Sequence, residues 1–281
     1  MRTFALALIC LSTACGTDGG SMPPTPDAPG GGSGAGWTPL IQKGWTLAPG
    51  GENTSDLQIE TIDRPMVIGG IRPLSPVGTH HTLLFKGLTG TNAIYASGVG
   101  TGELMFPPGK AMKIDAGTAL GLQLHIYNTS DNMLSGTSGI EVLEVDPATV
   151  TDEIDMFLPG PRSLAIAPNQ TSTKTGTCTV TTPYTLIALF PHMHQLGTHF
   201  KTTIKTGGVE RVIHDKPYSF DHQAVIPLDS IKLAAGDTIT TECTWNNTTN
   251  QTVGYGESST TEMCYSILYR YPRGTDEFCT Q

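Results

Sequence analysis

Hydrophobic positions after residue 36 come in short runs rich in Val, Ile, Leu, Thr and Tyr. Gly, Pro, Asn or Asp interrupts these runs about every ten residues, and no stretch shows the 3.6-residue period of an amphipathic helix. This pattern is typical of antiparallel β-sandwiches or barrels. It predicts strands at 58–62, 82–85, 119–127, 139–145, 184–190, 200–205, 238–245 and 264–271.

The chain length favours two domains. Its 281 residues allow two units of about 120 residues, each large enough to bury a core. The break at 158–161, Leu-Pro-Gly-Pro, is the best candidate for the border and predicts domains at 37–158 and 159–281. Residues 16–36 are rich in Gly, Pro, Ser and Asp, a composition that favours a flexible linker. No internal repeat is apparent.

The first 15 residues have the features of a secretory signal. Arg2 precedes the apolar run 4–11, which is too short to span a bilayer, and small residues follow it. Cys15 resembles a bacterial lipoprotein acylation site, although that pattern prefers Leu where Ser12 stands. Two interpretations stay open: a lipid anchor on Cys15 in a bacterial cell envelope, or simple cleavage and secretion.

Charge and hydropathy argue against nucleic acid as a partner and against a further membrane-spanning segment. The chain has 16 basic and 25 acidic residues, for a net charge of -9, and the basic residues are not clustered. This argues against nucleic acid as a partner. No second apolar stretch approaches membrane-spanning length, so the only membrane contact that we expect is through the N-terminal anchor.

Four cysteines follow the linker, and an even number in an exported chain favours two disulfides. They are Cys178, Cys243, Cys264 and Cys279. A zinc site built from all four thiolates is the competing interpretation, but no pair has the C-x-x-C spacing that such sites usually show. The spacing alone leaves three disulfide connectivities open.

Five of the eight histidines are arranged as candidate metal ligands. His192 and His194 form an H-x-H, which on an extended strand projects both rings from the same face. His125 lies on the polar face of the strand at 119–127. His80 and His81 are adjacent and could serve one ion only at a strand end or bulge. Each element alone is more often a surface or hydrogen-bonded histidine than a metal ligand.

The order of these histidines, followed by Glu262-Met263-Cys264 and a tyrosine-rich strand, resembles the copper type II, ascorbate-dependent monooxygenases. The resemblance runs from about residue 50 to the C-terminus. It implies an all-β fold of two tandem antiparallel jelly-roll-type β-sandwich domains. A methionine ligand also favours copper on chemical grounds, because a neutral thioether is a soft ligand that suits Cu(I) and is unusual for zinc.

The resemblance implies two copper ions per chain and ascorbate or a similar one-electron reductant. An electron-transfer copper would be held by His80, His81 and His125. The copper that activates O2 would be held by His192, His194 and Met263. The expected reaction is hydroxylation of a substrate C–H bond. Gln123 matches a glutamine close to the first copper, and the resemblance pairs Cys243 with Cys264 and Cys178 with Cys279.

Substrate recognition departs from the pattern of the peptide-amidating members of the family. Those enzymes hold a peptide carboxylate with an arginine, an asparagine and a tyrosine, where this chain has Phe190, Tyr265 and Ile267. We therefore expect a pocket with apolar walls for a small organic substrate. Two other classes stay open: a non-enzymatic copper-binding or copper-buffering lipoprotein, and a structural β-sandwich surface protein that binds no metal.

Overall fold

Strands form almost all of the regular structure. The computed structural model describes residues 36–88, 92–256, 258 and 260–279, so the predicted signal peptide, Cys15 and nearly all of the predicted linker lie outside the described residues. The strands are β1 (Trp37–Leu47), β2 (Glu52–Thr61), β3 (Met66–Leu74), β4 (Thr79–Lys86), β5 (Ala93–Gly98), β6 (Leu104–Met105), β7 (Lys110–Ile114), β8 (Ala119–Tyr127), β9 (Leu134–Glu144), β10 (Asp152–Glu153), β11 (Asp155–Pro159), β12 (Ala165–Ile166), β13 (Gln170–Thr179), β14 (Tyr184–His192), β15 (Gly197–Thr206), β16 (Val209–Pro217), β17 (Ile226–Leu233), β18 (Thr238–Asn247), β19 (Val253–Gly254), β20 (Tyr265–Tyr271) and β21 (Phe278–Cys279).

The described residues contain one 3₁₀ turn, Pro147–Thr149, and no α-helix, which confirms the all-β class. In this part of the chain no helix has the length and apolar character needed to cross a membrane.

Four main sheets organise the fold, two in each half of the chain. In the N-terminal half, β1-β9-β3-β7-β10 form one sheet, with β6 beside β3, and β2-β8-β4-β5 form the other. In the C-terminal half the sheets are β17-β14-β20-β11-β21 and β13-β18-β15-β16, and β12 pairs with β19. The strand β11, which includes the predicted domain border, pairs with β20. The pairing does not establish a jelly roll, and that connectivity stays a prediction.

The central strand β14 explains how the two halves meet. All its residues before His192 are buried, which is why it reads as a continuous apolar run instead of an alternating one. Leu186 and Leu189 pack into the core of the C-terminal half. Ala188 and Phe190 instead join the core of the N-terminal half. The two halves therefore share a continuous apolar core at this sheet.

One buried hydrogen-bond motif occurs in both halves, at the ends of β8 and β18. Asn128 and Asn247 are each 0 % exposed. The side-chain amide of each donates to three backbone carbonyls, and its oxygen accepts from the backbone N–H of the residue two positions later. The sequences Asn-Thr-Ser and Asn-Thr-Thr are too short to reveal this repeat without the structure. Burial also makes both asparagines inaccessible to glycosylation.

Candidate metal centre

His80, His81 and His125 meet at one end of the β2-β8-β4-β5 sheet. His81 on β4 lies opposite His125 on β8, and the pairing register shifts between Thr79 and His81. This irregularity is the bulge that the adjacent histidines require, because successive residues on a regular strand face opposite sides. His80 and His81 thereby reach the same point.

The three rings converge through their Nδ1 atoms. His80 Nδ1 lies 3.1 Å from His81 Nδ1 and 3.2 Å from His125 Nδ1. Nitrogen ligands about 2 Å from a shared ion are separated by roughly 3.3 Å when the geometry is near tetrahedral. The spacing therefore fits one metal ion, and these residues form the metal-compatible His/Cys/Asp/Glu group found among the described residues.

Carboxylates fix the tautomers of two of these rings. His80 Nε2 lies 2.9 Å from the carboxylate of Asp221, and His125 Nε2 lies 2.6 Å from that of Glu52. A carboxylate accepts a hydrogen bond from Nε2–H, so the lone pair of each ring stays on Nδ1, where the rings converge. Such hydrogen-bond partners usually orient histidines that ligate metals.

His81 Nε2 lies close to both a hydrogen-bond acceptor and a hydrogen-bond donor. Its Nε2 lies 3.1 Å from the carbonyl oxygen of Phe220 and 3.0 Å from Nε2 of Gln223. Both neighbours come from the segment 218–225 between β16 and β17, in the C-terminal half of the chain. The three-histidine set is therefore completed by a segment that is distant in sequence.

His192 and His194 form the second set, with ring centroids 5.2 Å apart. Met193, between them, is fully buried on the opposite side, in an apolar cluster of the C-terminal half. His192 Nδ1–H donates to Gln223 Oε1 at 3.0 Å, and His194 Nδ1–H donates to the carbonyl of Thr261 at 2.9 Å. Both rings therefore carry the lone pair on Nε2, whereas His80 and His125 in the first set carry it on Nδ1.

Burial favours the neutral form of four of the candidate ligands. It lowers the pKa of His192 to about 3 and also lowers the pKa of His194. In the first set, burial lowers the pKa of His80 and sets that of His81 well below its usual range. Neutral imidazole is the form that binds a metal, so little proton competition opposes metal binding near pH 7.

Met263 is the third ligand that the sequence predicts for the second set. It is partly buried and lines the same cavity as His192 and His194. Two imidazoles and one thioether form a donor set that suits Cu(I) better than zinc or a hard cation. The residues present therefore fit copper at both sets.

Glu262 holds the loop that carries His194. Its fully buried carboxylate accepts the backbone N–H of His194 at 2.9 Å and that of Leu196 at 2.7 Å. The indole N–H of Trp245 donates to it at 2.8 Å. Burial raises the pKa of Glu262, and these hydrogen bonds oppose that shift because they favour the charged form. The Glu-Met-Cys sequence thus combines a candidate ligand with the residue that positions another.

One cavity of about 470 Å³ reaches both histidine sets. Its walls are mainly apolar, and among the described residues Glu277 supplies the only ionisable lining side chain besides histidine and tyrosine. The lining includes six residues that the sequence analysis proposed as metal ligands or cofactor neighbours: His81, His125, His192, His194, Met263 and Gln123. His80 lies on the outer side, beside a second cavity of about 310 Å³.

The expected substrate-pocket residues also line the large cavity. Phe190, Tyr265 and Ile267 are at most 5 % exposed, and each contributes to its wall. Gln123 lines the cavity too, but its amide donates to the carbonyl of Thr54 at 3.4 Å. No hydrogen bond joins it to a histidine within the described residues.

Sequence reasoning missed the residues that orient the ligands. Glu52, Asp221 and Gln223 each contact a histidine at least 31 positions away in sequence, and no local motif marks them. Glu262 did carry a signal, since a buried acid beside Met263 and Cys264 needs a partner.

Two disulfides join the four cysteines of the C-terminal half. Cys178 is bonded to Cys279, and Cys243 to Cys264, as the resemblance implied. Disulfides of this kind are typical of extracellular or otherwise exported proteins. The second bond attaches the residue that follows Met263 to β18.

Comparison with protein families agrees with this geometry. Residues 155–281 match the family described as copper type II ascorbate-dependent monooxygenase, C-terminal domain. The matched segment includes His192, His194, Met263 and both disulfides. No protein with a curated description matches the chain significantly. Residues 155–281 are therefore similar to the C-terminal domain of the copper type II, ascorbate-dependent monooxygenases.

Proposed function

We propose that the chain is a two-copper monooxygenase that hydroxylates a C–H bond of a small, largely apolar organic substrate. The observation that carries this proposal is the single cavity lined by members of both histidine sets and by Met263. The family supports copper and ascorbate at the level of the reaction class. His80, His81 and His125 would hold one copper, and His192, His194 and Met263 the other.

The reaction balances with an external reductant. One substrate C–H bond, one O2, two electrons and two protons give one C–OH group and one water, so two molecules of an ascorbate-like one-electron donor are consumed. Copper, when bound, supplies electron transfer and O2 activation. The chain's own contribution is to present Nδ1 at one set and Nε2 at the other, and to keep water out of the apolar cavity.

The cavity supports a neutral or cationic substrate over a carboxylate. No described Lys or Arg side chain lines it, and Glu277 is an acid. Phe190 and Ile267 stand where a carboxylate-binding enzyme would need a guanidinium and a hydroxyl group. We therefore expect glycine-extended peptides to fail as substrates and small aromatic compounds such as phenylethylamines to be better candidates.

Copper content and oxygen uptake, measured on the same samples, test this function. We expect two coppers per chain in the purified fragment that starts near Trp37, and about one in Met263→Ala with loss of ascorbate-dependent oxygen uptake. Met133→Ala is the matched control, because Met133 is 63 % exposed and away from the cavity lining. A chain that binds no copper after reconstitution would refute the proposal. Two coppers without oxygen uptake on any substrate would favour the copper-buffering alternative.

The substrate screen should follow product as well as oxygen. With ¹⁸O2, a hydroxylated product must carry one labelled oxygen atom, and the ratio of ascorbate oxidised to product formed must be two. Efficient amidation of a glycine-extended peptide would contradict the proposed specificity.

We also propose that 37–158 and 159–281 are tandem jelly-roll domains of one exported protein. The repeated buried asparagine motif and the two sheets in each half support the tandem arrangement. The leader and Cys15 support lipid anchoring in a bacterial envelope. Incorporation of labelled palmitate that is lost in Cys15→Ala would establish the anchor, whereas unlabelled secreted protein would favour simple cleavage.

A further inference from the structure

Gln223 is the only side chain among the described residues that is hydrogen-bonded to rings of both histidine sets. It is 2 % exposed. Its Oε1 accepts from His192 Nδ1–H at 3.0 Å, and its Nε2 lies 3.0 Å from His81 Nε2. A single amide group thus connects the two candidate copper centres.

The two ends of an amide are chemically different, and this difference decides what each ring can do. The oxygen can only accept, so it holds His192 with its proton on Nδ1 and its lone pair on Nε2. The nitrogen can only donate, so it favours His81 with a lone pair on Nε2 and the proton on Nδ1. The first tautomer suits metal binding by His192. The second opposes metal binding by His81 through Nδ1.

Metal binding at the three-histidine set therefore has a consequence for Gln223. When His81 Nδ1 serves as a ligand, the proton of its neutral ring must be on Nε2, where the carbonyl of Phe220 can accept it at 3.1 Å. Gln223 Nε2 donates to that same carbonyl at 3.0 Å. These three atoms form a nearly equilateral triangle, so two N–H donors then approach one oxygen from almost the same side and repel each other.

Rotation of the amide by half a turn replaces this contact between two donors with a contact between Oε1 and the carbonyl oxygen of Phe220. Gln223 Oε1 would then accept from His81 Nε2–H, and its Nε2 would face His192 Nδ1. His192 could meet this donor only with its lone pair on Nδ1, which places its proton on Nε2 and blocks that atom as a ligand. The two sets thus compete for one carbonyl oxygen.

We propose that Gln223 is a positioning residue that couples the two copper centres, so that copper at His80, His81 and His125 weakens copper binding at His192, His194 and Met263. This inference rests on the proposed function, because it takes both histidine sets as copper sites. By thermodynamic reciprocity, copper at the second set weakens binding at the first by the same factor. We expect a factor of about five, the lower end of typical coupling.

A double-mutant cycle measures the coupling without any turnover. The four proteins are wild type, His125→Ala, Gln223→Leu and the double variant. The quantity is the Cu(I) dissociation constant of the methionine-containing set, from competition with a Cu(I) chelator, with that set identified by its Cu–S signal in X-ray absorption. We expect binding about fivefold tighter in His125→Ala than in fully loaded wild type, and equal binding in the two proteins that carry Gln223→Leu.

Gln223→Glu distinguishes coupling from a purely structural role. A carboxylate accepts at both oxygens, so His192 Nδ1–H and His81 Nε2–H are satisfied together, and the variant should bind two coppers without coupling. A second readout is direct: Cu(I) is diamagnetic, so ¹⁵N chemical shifts report which nitrogen of His81 carries the proton before and after loading. Thermal unfolding of the metal-free proteins checks that each variant folds.

The outcomes separate this inference from the proposed function. Two coppers per wild-type chain, with the same affinity ratio in the presence and absence of Gln223, would overturn the coupling and leave the enzyme proposal standing. Coupling that persists in Gln223→Glu would also overturn it. Absence of copper from both sets would overturn both proposals.

Discussion

The carboxylate of Glu262 accepts the backbone N–H of His194 at 2.9 Å, so the residue next to one candidate ligand holds the loop of another. Leu196 and Trp245 donate to the same carboxylate. The second metal set is therefore organised by a buried charge whose partners are all N–H donors. Such a charge is stable only while those donors remain in place.

Glu262→Gln should loosen the second set while leaving the first intact. An amide has only one acceptor oxygen. Its nitrogen would therefore face at least one of the three N–H groups that donate to Glu262, and two donors would point at each other. We expect copper affinity at His192, His194 and Met263 to fall about 10- to 100-fold, as for other residues that orient metal ligands. Competition with a Cu(I) chelator measures this affinity.

The control for this change is Glu210→Gln, an exposed acid on β16. This substitution removes the same charge from the chain, and Glu210 contacts neither histidine set. If both variants bind copper with equal affinity, Glu262 has no role in organising the site.

The strands were predictable because the alternation of apolar and polar residues along a strand follows the alternation of buried and less buried positions. On β8, Leu122, Leu124 and Ile126 are buried while Gln123 and His125 are less so, and the sequence alternates in step. The H-x-H and Met-Cys elements were equally local. Family resemblance then connected elements whose separation in sequence carries no geometric information of its own.

Contacts between distant segments were not predictable in this way. Gln223 is buried because segment 218–225 packs against the end of β5 and the turn that follows it, where Thr101 donates to the backbone carbonyl of Gln223 at 3.2 Å. The local sequence Asp221-His222-Gln223 is polar and is typical of an exposed loop. The buried position of Gln223 depends on how the two halves meet, which no local pattern records.

The two disulfides should differ in what they stabilise. The Cys178–Cys279 bond closes a sequence separation of 101 residues and the Cys243–Cys264 bond one of 21. Loop-closure entropy predicts losses of about 4.7 and about 3 kcal/mol when each bond is removed. Both loops contain Met263, but only the Cys243–Cys264 bond ends at the residue next to it.

Paired Cys→Ala variants test this difference by denaturant unfolding and copper titration. Removal of Cys178–Cys279 should cost more free energy of unfolding and leave copper stoichiometry unchanged. Removal of Cys243–Cys264 should cost less but weaken copper binding at the Met263 set. If removal of Cys178–Cys279 weakened copper binding more than removal of Cys243–Cys264, the proposed difference between the two bonds would be wrong.

The buried asparagines should be equivalent in the two halves. In Asn128→Ala and in Asn247→Ala, three backbone carbonyls lose the amide that donates to them. Buried acceptors without a partner cost about 1–3 kcal/mol, so each variant should lose at least that much free energy of unfolding. Asn246→Ala is the matched control, because Asn246 is exposed on the same strand as Asn247; its effect should stay within about 0.5 kcal/mol.

Gly98 allows segment 218–225 to approach the three-histidine set. A Cβ atom at this position would lie 2.5 Å from the backbone oxygen of Gln223 and 2.9 Å from Cδ2 of His81. Backbone cannot give way as a flexible side chain can, so Gly98→Ala should displace the segment at a cost of about 1–3 kcal/mol. The displacement withdraws the carbonyl of Phe220 from His81, and copper binding at the three-histidine set should weaken with it.

Gly102→Ala is the matched control for this change, because an added Cβ there meets nothing within 4 Å. Both variants carry one extra methyl group near the same turn, and only Gly98→Ala should change the Cu(II) electron paramagnetic resonance spectrum of the three-histidine set. Identical spectra and unfolding curves for the two variants would mean that the close approach of segment 218–225 does not shape this centre. A change confined to Gly98→Ala would show that packing between the two halves sets the geometry of a site whose ligands all belong to one of them.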